Sequence, residues 1–483
     1  MSLNILIIMI KIKRTNIEIK PDTKRVLASY VILPEKKRIK NIISRIAKLN
    51  KSEIEIALAD VHKNYDYRHF GHKKVFLNHF KNVEAYISSS KKYSESQKLL
   101  LGAYLTKEYS IEAAALFNPS IVEHPDQTGL NQGELRFIIS LRATGEGHIS
   151  SIEFRSGTIN NTGDISLDPI CPKTMMGEII RDQYFSKLFV LERIAYYNAV
   201  SSDIFNNLPE KFSLKEAINV IKKLEKSQNR NLTKTKKALK DIFETNYDLH
   251  FDSKTPLSSR IIFPQTIAES KGMEDARFVK FINNGDIHYY GTYTAYDGKN
   301  IRSQLIETQD FANFKIRRLY GNAVQDKGMA LLPQKIDGKY VMIGRQGGEE
   351  ISIMYSENIY FWDTYEVIHK PTKVWEILQL GNSGSPIKTN KGWLLIIHGV
   401  GPVRKYVLSA ILLDLNNPDK VIGKLDFPIL EPTDKEREGY VPNVVYTCGV
   451  MAYNDNLIIP YAMSDIASSF AITSIEEILS MFN

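Results

Sequence analysis

The sequence predicts a mainly β chain with a helical N-terminal region and a helical insertion. Three observations predict it. Residues 36–105 are Lys-rich, poor in Gly and Pro, and carry apolar residues at helical spacing. From about Phe117 onward the chain turns to short apolar or aromatic runs separated by Gly- and Asn-containing turn signals. A second Lys-rich helical stretch, from about Lys187 to Glu244, interrupts those runs.

In chain order, the apolar run 5–10 comes first. It is far shorter than the roughly 20 residues that span a bilayer, and no basic stretch before it or small-residue site after it marks a secretory leader. It is read as a strand, or as residues around an alternative start at Met9. Ile39, Ile42, Ile43 and Ile46 then mark one face of a helix.

The net charge of +8 is uneven: residues 1–100 hold 21 Lys/Arg against 9 Asp/Glu, so the remainder is slightly acidic. Such a region could neutralise phosphates of nucleic acid or an anionic surface. No nucleic-acid motif accompanies it, and a solvated helical face is the better reading, so neither a nucleic-acid nor a membrane partner is expected. His62, His69, His72 and His79 cluster here, but their spacing does not match the two-His helical zinc pattern, and no metal is expected. Cys171 and Cys448 lie far apart without metal-ligand spacing, which fits a reducing, cytoplasmic setting.

The β part opens with the strand-like 137–141 run, punctuated by turns at 145–147 and 160–163. In the insertion, Leu224, Leu232 and Leu239 lie among lysines, and Pro209 separates two helical pieces. After Ile261 come hairpin signals at 283–286, 297–298, 337–338 and 390–392. Repeated hairpins without alternating helices fit a barrel, a sandwich or a propeller, and the pattern does not choose among them. The expected organisation is a largely helical region at 1–110 and a β domain at 111–483 with a helical insertion at about 175–255.

Glu274 and Asp275, followed by Arg277, place two carboxylates beside a guanidinium. On a regular strand neighbouring side chains point to opposite faces, so only one of the two carboxylates is expected to face a given pocket. Further on come Lys327 with the 328–333 segment, the 338–345 segment ending in Arg345, and the 392–400 segment containing His398. Together these segments resemble glycoside hydrolase family 130, the β-mannoside phosphorylases and related β-mannosidases. The similarity runs on through Tyr406, 412–415, 428–430 and 439–446, and covers roughly residues 117–470 with the insertion outside it.

The resemblance implies a five-bladed β-propeller whose axial pocket binds the sugar. It implies that Asp275 is the general acid of an inverting reaction, its proton reaching the glycosidic oxygen through a mannose hydroxyl, with Glu274 structural. Where the family commonly has Pro after this Asp, the chain has Ala276. For phosphate the resemblance points to Lys327, Arg345, His398 and Tyr406, with Arg142 from an earlier segment. All can donate hydrogen bonds to an anion, and His398 would add charge if protonated. Arg404, near His398 in sequence, is a further phosphate candidate, and Arg277, Asn382 and Asp465 are candidates for holding the sugar.

The expected activity is inverting phosphorolysis of β-mannosides with release of α-mannose 1-phosphate, inorganic phosphate being the co-substrate. No cofactor is expected: there is no Walker A sequence, and Gly344, Gly347 and Gly348 lack dinucleotide-binding spacing. The alternatives are a β-mannosidase hydrolysing β-1,2-linked mannosides, which would need a carboxylate base for water, and a non-catalytic sugar-binding propeller. Rim loops decide linkage and acceptor, and the helical segments are expected to shape that rim or a homo-oligomer interface.

Overall fold

Helices Lys36–Ile46, Lys51–Tyr65, His72–Lys81 and Glu95–Tyr104 occupy the N-terminal stretch of the protein's computed structural model, which describes residues 10–87, 92–180, 183–224 and 230–482. The 5–10 run, apart from Ile10, lies outside the described residues. Ile39, Ile43 and Ile46 face inward onto a core with Phe76, Phe80 and Leu99 to Leu101, as the helical period requires. Two of these helices start with reciprocal capping: Asn50 with Glu53, and Ser94 with Gln97. The helices are flanked by an antiparallel pair, Val26–Tyr30 with Thr106–Ser110.

Arg25, just before that pair, ties the helical region to the β part. Its Nε lies 2.6 Å from Glu112 and its Nη2 2.8 Å from Glu153, while Arg155 reaches the same two carboxylates at 2.8 and 3.1 Å. All four side chains are buried. Two guanidiniums and two carboxyl groups alternate where water is excluded. Burial and the neighbouring Glu153 push the Glu112 pKa up to about 8, while Arg25 and Arg155 hold Glu153 below its ordinary value against its burial, so loss of either arginine would leave a buried carboxylate poorly compensated.

The β part is a series of antiparallel sheets in chain order. Ala115–Glu123, Glu134–Thr144, Ser150–Asn160 and Ile165–Leu167 form the first. Gly272–Asn283, Asp286–Tyr296, Ile301–Thr308 and Asn313–Arg318 form the second, extended by Tyr247–His250. The strands of these two are continuous with each other through one parallel pair, Gly272 with Ser150. Ala330–Leu331, Tyr340–Gly344, Ile351–Ser356 and Glu366–His369 follow. Next are Gln379–Asn382, Trp393–Val400, Tyr406–Leu413 and Val421–Lys424. In the last, Val445–Tyr446, Asn456–Met463 and Ala467–Ser474 are joined at the edge by Lys13–Arg14 from the opposite end of the chain. Two of the predicted turns are hairpins with two left-handed residues, Asn284 and Gly285 at φ +50° and +89° and Asp337 and Gly338 at +48° and +77°, whereas at 297–298 only Gly298 is left-handed, at +94°.

In the chain, the helices Lys187–Tyr196, Ser202–Asn206, Leu214–Leu224 and Arg230–Thr245 come between the first two groups of strands. They have their own core, including Val190, Ile194, Phe212, Leu232 and Leu239. Asp241 fastens them to the second sheet through Arg302 and Arg318 at 2.8 and 2.5 Å. Among the described residues no helix is long and apolar enough to cross a membrane.

Candidate active site

Every one of these sheets contributes to one polar pocket of 290 Å³. Asn118 and Arg142 come from the first, Asp275 from the second, Arg345 from the third, with Lys327 on the loop leading into it. Gln379 and Tyr406 come from the fourth, Val444, Tyr446 and Asp465 from the fifth. Four lining residues that are not glycine have left-handed backbones: Asn118, Asp275, Arg404 and Asp465, at φ +50° to +55°. Each costs about 1–3 kcal/mol and persists only where its surroundings over-determine it. The backbone strain gathers at the pocket.

At Asp275 this conformation belongs to a bulge, the register slipping between Glu274 and Arg277. The strict alternation expected for Glu274 and Asp275 therefore fails. Both reach Arg142, at 2.7 and 3.2 Å. Asp275 Oδ1 also accepts from Asn118 Nδ2 at 2.7 Å, and its carbonyl accepts from Arg277 at 2.9 Å. Burial by itself would raise the Asp275 pKa, but Arg142, Lys327, Arg277 and the Asn118 hydrogen bond together hold it well below the usual carboxylate range. Asp465 is displaced the other way, to about 6, by burial first and then by the charge of Asp275.

Arg345 is 5% exposed, its Nε donating to the Lys327 carbonyl at 3.1 Å and its Nη1 to His398 Nε2 at 3.2 Å. Two glycines make room for it. A Cβ on Gly381 would lie 2.7 Å from the His398 ring and 2.8 Å from Arg345 Cδ, and one on Gly328, at φ +95°, would lie 2.9 Å from Arg345 Nε.

His398 departs from its expected role. It is fully buried behind Arg345, and burial, reinforced by the charges of Arg345 and Arg277, pushes its pKa well below the ordinary value. It is therefore neutral, accepting through Nε2 and presenting Nδ1–H to Ser383 Oγ at 3.3 Å. It orients Arg345 and adds no charge of its own.

Two of the sugar candidates are also displaced. Arg277 lies beneath the floor, bonded to the Asp275 carbonyl and, at 2.7 Å, to the Tyr446 hydroxyl. Asn382 is fully buried and off the pocket wall. In both cases strand pairing turns the side chain into the molecule. Arg142, Lys327, Arg345, Arg404, Tyr406, Asp275 and Asp465 do share the pocket. Lys327 sits 4.0 Å from Glu274, and the exposed Arg404 lies over the Tyr406 ring. Tyr406 donates to Gln379 Oε1 at 3.3 Å.

Sequence reasoning missed Asn118, Gln379 and Tyr446. An Asn-Pro pair inside an apolar run was the available signal for Asn118; Gln379 had none. In the helical region, His62 and His72 converge on Asp66, the three ligand-bearing atoms lying within 4.8 Å of one another. His69 instead meets Glu108, and His79 meets Thr106.

Residues 230–483 match the family described as beta-1,4-mannooligosaccharide phosphorylase. A 1,2-beta-oligomannan phosphorylase of Thermoanaerobacter sp. (strain X514) is 35% identical over 227 residues, 46% of this chain and 75% of that protein. A beta-1,2-mannobiose phosphorylase of the same strain is 38% identical over 214 residues, 44% of this chain and 69% of that protein. The beta-1,2-mannobiose phosphorylase of Listeria innocua is 32% identical over 227 residues, 45% and 62% of the respective chains. Asn118 and Arg142 lie upstream of the matched segment, yet the fold brings them onto Asp275, which lies within it. With its second half matched throughout, the chain belongs to glycoside hydrolase family 130.

Proposed function

We propose that this protein is an inverting β-mannoside phosphorylase. Phosphate attacks the anomeric carbon from the face opposite the leaving sugar, Asp275 provides the proton for the departing oxygen, and α-mannose 1-phosphate is released. The observation that carries this reading is a charge imbalance. Five cations, Arg142, Arg277, Lys327, Arg345 and Arg404, stand in or against the pocket with three carboxylates, Glu274, Asp275 and Asp465, while His398 is neutral. The surplus of two positive charges suits a phosphate dianion and is of no use to attacking water. A bound dianion would also offset the field that depresses the Asp275 pKa, so phosphate binding and protonation of the acid would assist each other.

The wider arrangement follows the same reading. We take the five successive sheets as the blades of a five-bladed propeller, closed by Lys13–Arg14 on the last, with the pocket on its axis. Residues 1–110 and the insertion at about 175–255 are appendages to a catalytic domain at 111–483, in a cytoplasmic enzyme that needs no cofactor besides phosphate.

Incubation with β-1,2- and β-1,4-linked manno-oligosaccharides is expected to yield mannose 1-phosphate with phosphate and no turnover without it, followed by NMR of the anomeric proton. Asp465 favours one rival reading, because a half-buried carboxylate with its pKa raised to about 6 is what a hydrolase would use as base. Release of free mannose without phosphate would select that reading.

In the phosphorylase, Asp465 instead accepts hydrogen bonds from sugar hydroxyls, which requires it ionised. Its raised pKa means that the ionised form is lost as pH falls through about 6. Mannoside affinity, measured by calorimetry without phosphate, is expected to weaken over that window in the wild type. In Asp465→Asn affinity is expected to be low and flat with pH; an unchanged profile in that variant would remove the role.

A further inference from the structure

Two exposed rings meet beside the pocket. Tyr440 is 62% exposed and directly precedes Val441, which lines the pocket. Its ring centroid lies 5.8 Å from that of His148, with the planes only 30° apart. His148 is itself exposed, in the turn six residues after Arg142. A single exposed aromatic needs no explanation. Two exposed rings brought together from distant segments and tilted 30° to each other, one of them next to a residue that lines the pocket, do.

Both segments are fastened to the residues that line the site. Val441 N–H donates to the Ser464 carbonyl at 3.0 Å, and Ser464 N–H to the Val444 carbonyl at 2.8 Å, which locks the Tyr440 segment across the turn presenting Asp465. On the other side, Ser150 accepts from Arg142 Nε at 2.9 Å and pairs with Gly272, at the start of the strand carrying Asp275. The His148 turn is thereby tied, through Ser150, to Arg142 and to the strand that carries the acid.

The pocket volume of 290 Å³ leaves room for about one pyranose ring and a phosphate. Every sugar beyond the scissile bond must therefore lie outside, over the rim. The C–H face of a pyranose is apolar and slightly positive, and the face of an aromatic ring is negative, so the two surfaces attract while sugar hydroxyls stay in water.

We propose that Tyr440 and His148 form a stacking platform for the leaving-group side of an oligomeric β-mannoside, holding the sugar next to the scissile bond and those beyond it. The direction of the chain rests on the phosphorylase reading; the platform itself does not.

The test uses the full chain and β-linked manno-oligosaccharides from two to five units, titrated calorimetrically without phosphate, alongside wild-type turnover with phosphate. Tyr440→Ala is expected to weaken binding about five- to tenfold, with Tyr440→Phe within about twofold of the wild type because the ring face remains. His148→Asn, chosen because Asn tolerates the left-handed φ of +59°, should give a smaller loss, and binding of inorganic phosphate should not move in any of the three. Wild-type oligosaccharide affinity in Tyr440→Ala would overturn the platform, as would a changed oligomeric state with affinity retained. If the wild type binds mannosides without phosphorolysing them, the reaction assignment fails and the platform is decided by the binding series alone. A wild type that binds no mannoside overturns both.

Discussion

Asp275→Asn is expected to slow phosphorolysis of unactivated β-mannosides by about 10²–10⁴-fold, the usual contribution of a positioned general acid. Asn is nearly isosteric, and its carbonyl oxygen can still accept from Asn118 and Arg142, which now bond Oδ1 at 2.7 and 3.2 Å. The fold and the bulge should survive, and an unchanged melting temperature checks this. What is lost is the ability to carry a proton. A p-nitrophenyl β-mannoside, whose leaving group needs little protonation, should therefore lose far less rate than mannobiose in the same variant. Equal losses on both substrates would mean that Asp275 holds the sugar or shapes the pocket. Wild-type rates on mannobiose would remove it from the chemistry altogether. The ionised state of Asp275 in the empty site also predicts an order of events: the acid becomes competent only once phosphate offsets Arg142, Lys327 and Arg277.

Local signals made some of this architecture legible in the sequence. The isoleucines at 39, 42, 43 and 46 announce a helix because their spacing has only one helical reading, and Asn284-Gly285 announces a hairpin because few residue pairs accept two left-handed conformations. The order of the sheets was not legible, since each contact depends on partners remote in the chain. Lys13 pairs with Ile472, and nothing in either short segment names the other.

The site divides in the same way. Asp275, Lys327 and Arg345 stand in segments whose order along the chain marks the family, and the same resemblance points to Arg142, whereas Asn118, which also reaches the acid from before the insertion, has no such mark. Alternation misreads Glu274 and Asp275 because a bulge is a property of a strand pair, and one strand's sequence does not display it. The neutrality of His398 is equally invisible in sequence, being the joint effect of complete burial and two guanidiniums contributed by other strands.

That neutrality places the burden of anion binding on Arg345. Arg345→Ala is expected to raise the KM for phosphate about 10²-fold or more, in the range found when one partner of a buried charge pair is truncated, with the KM for mannoside changed only a few fold. The guanidinium has little freedom to lose on binding, because the Lys327 carbonyl and His398 Nε2 fix two of its donors. Arg345→Lys should rescue poorly for the same reason: an ammonium cannot keep both fixed contacts and still face the anion. His398→Leu offers an independent check, since it removes the acceptor that aims Arg345 without altering net charge. It should raise the phosphate KM by less than Arg345→Ala does, and its profile between pH 6 and 8 should match that of the wild type, because a neutral histidine contributes no titration there. A phosphate KM left intact by Arg345→Ala would move the anion outward to Lys327 and the exposed Arg404.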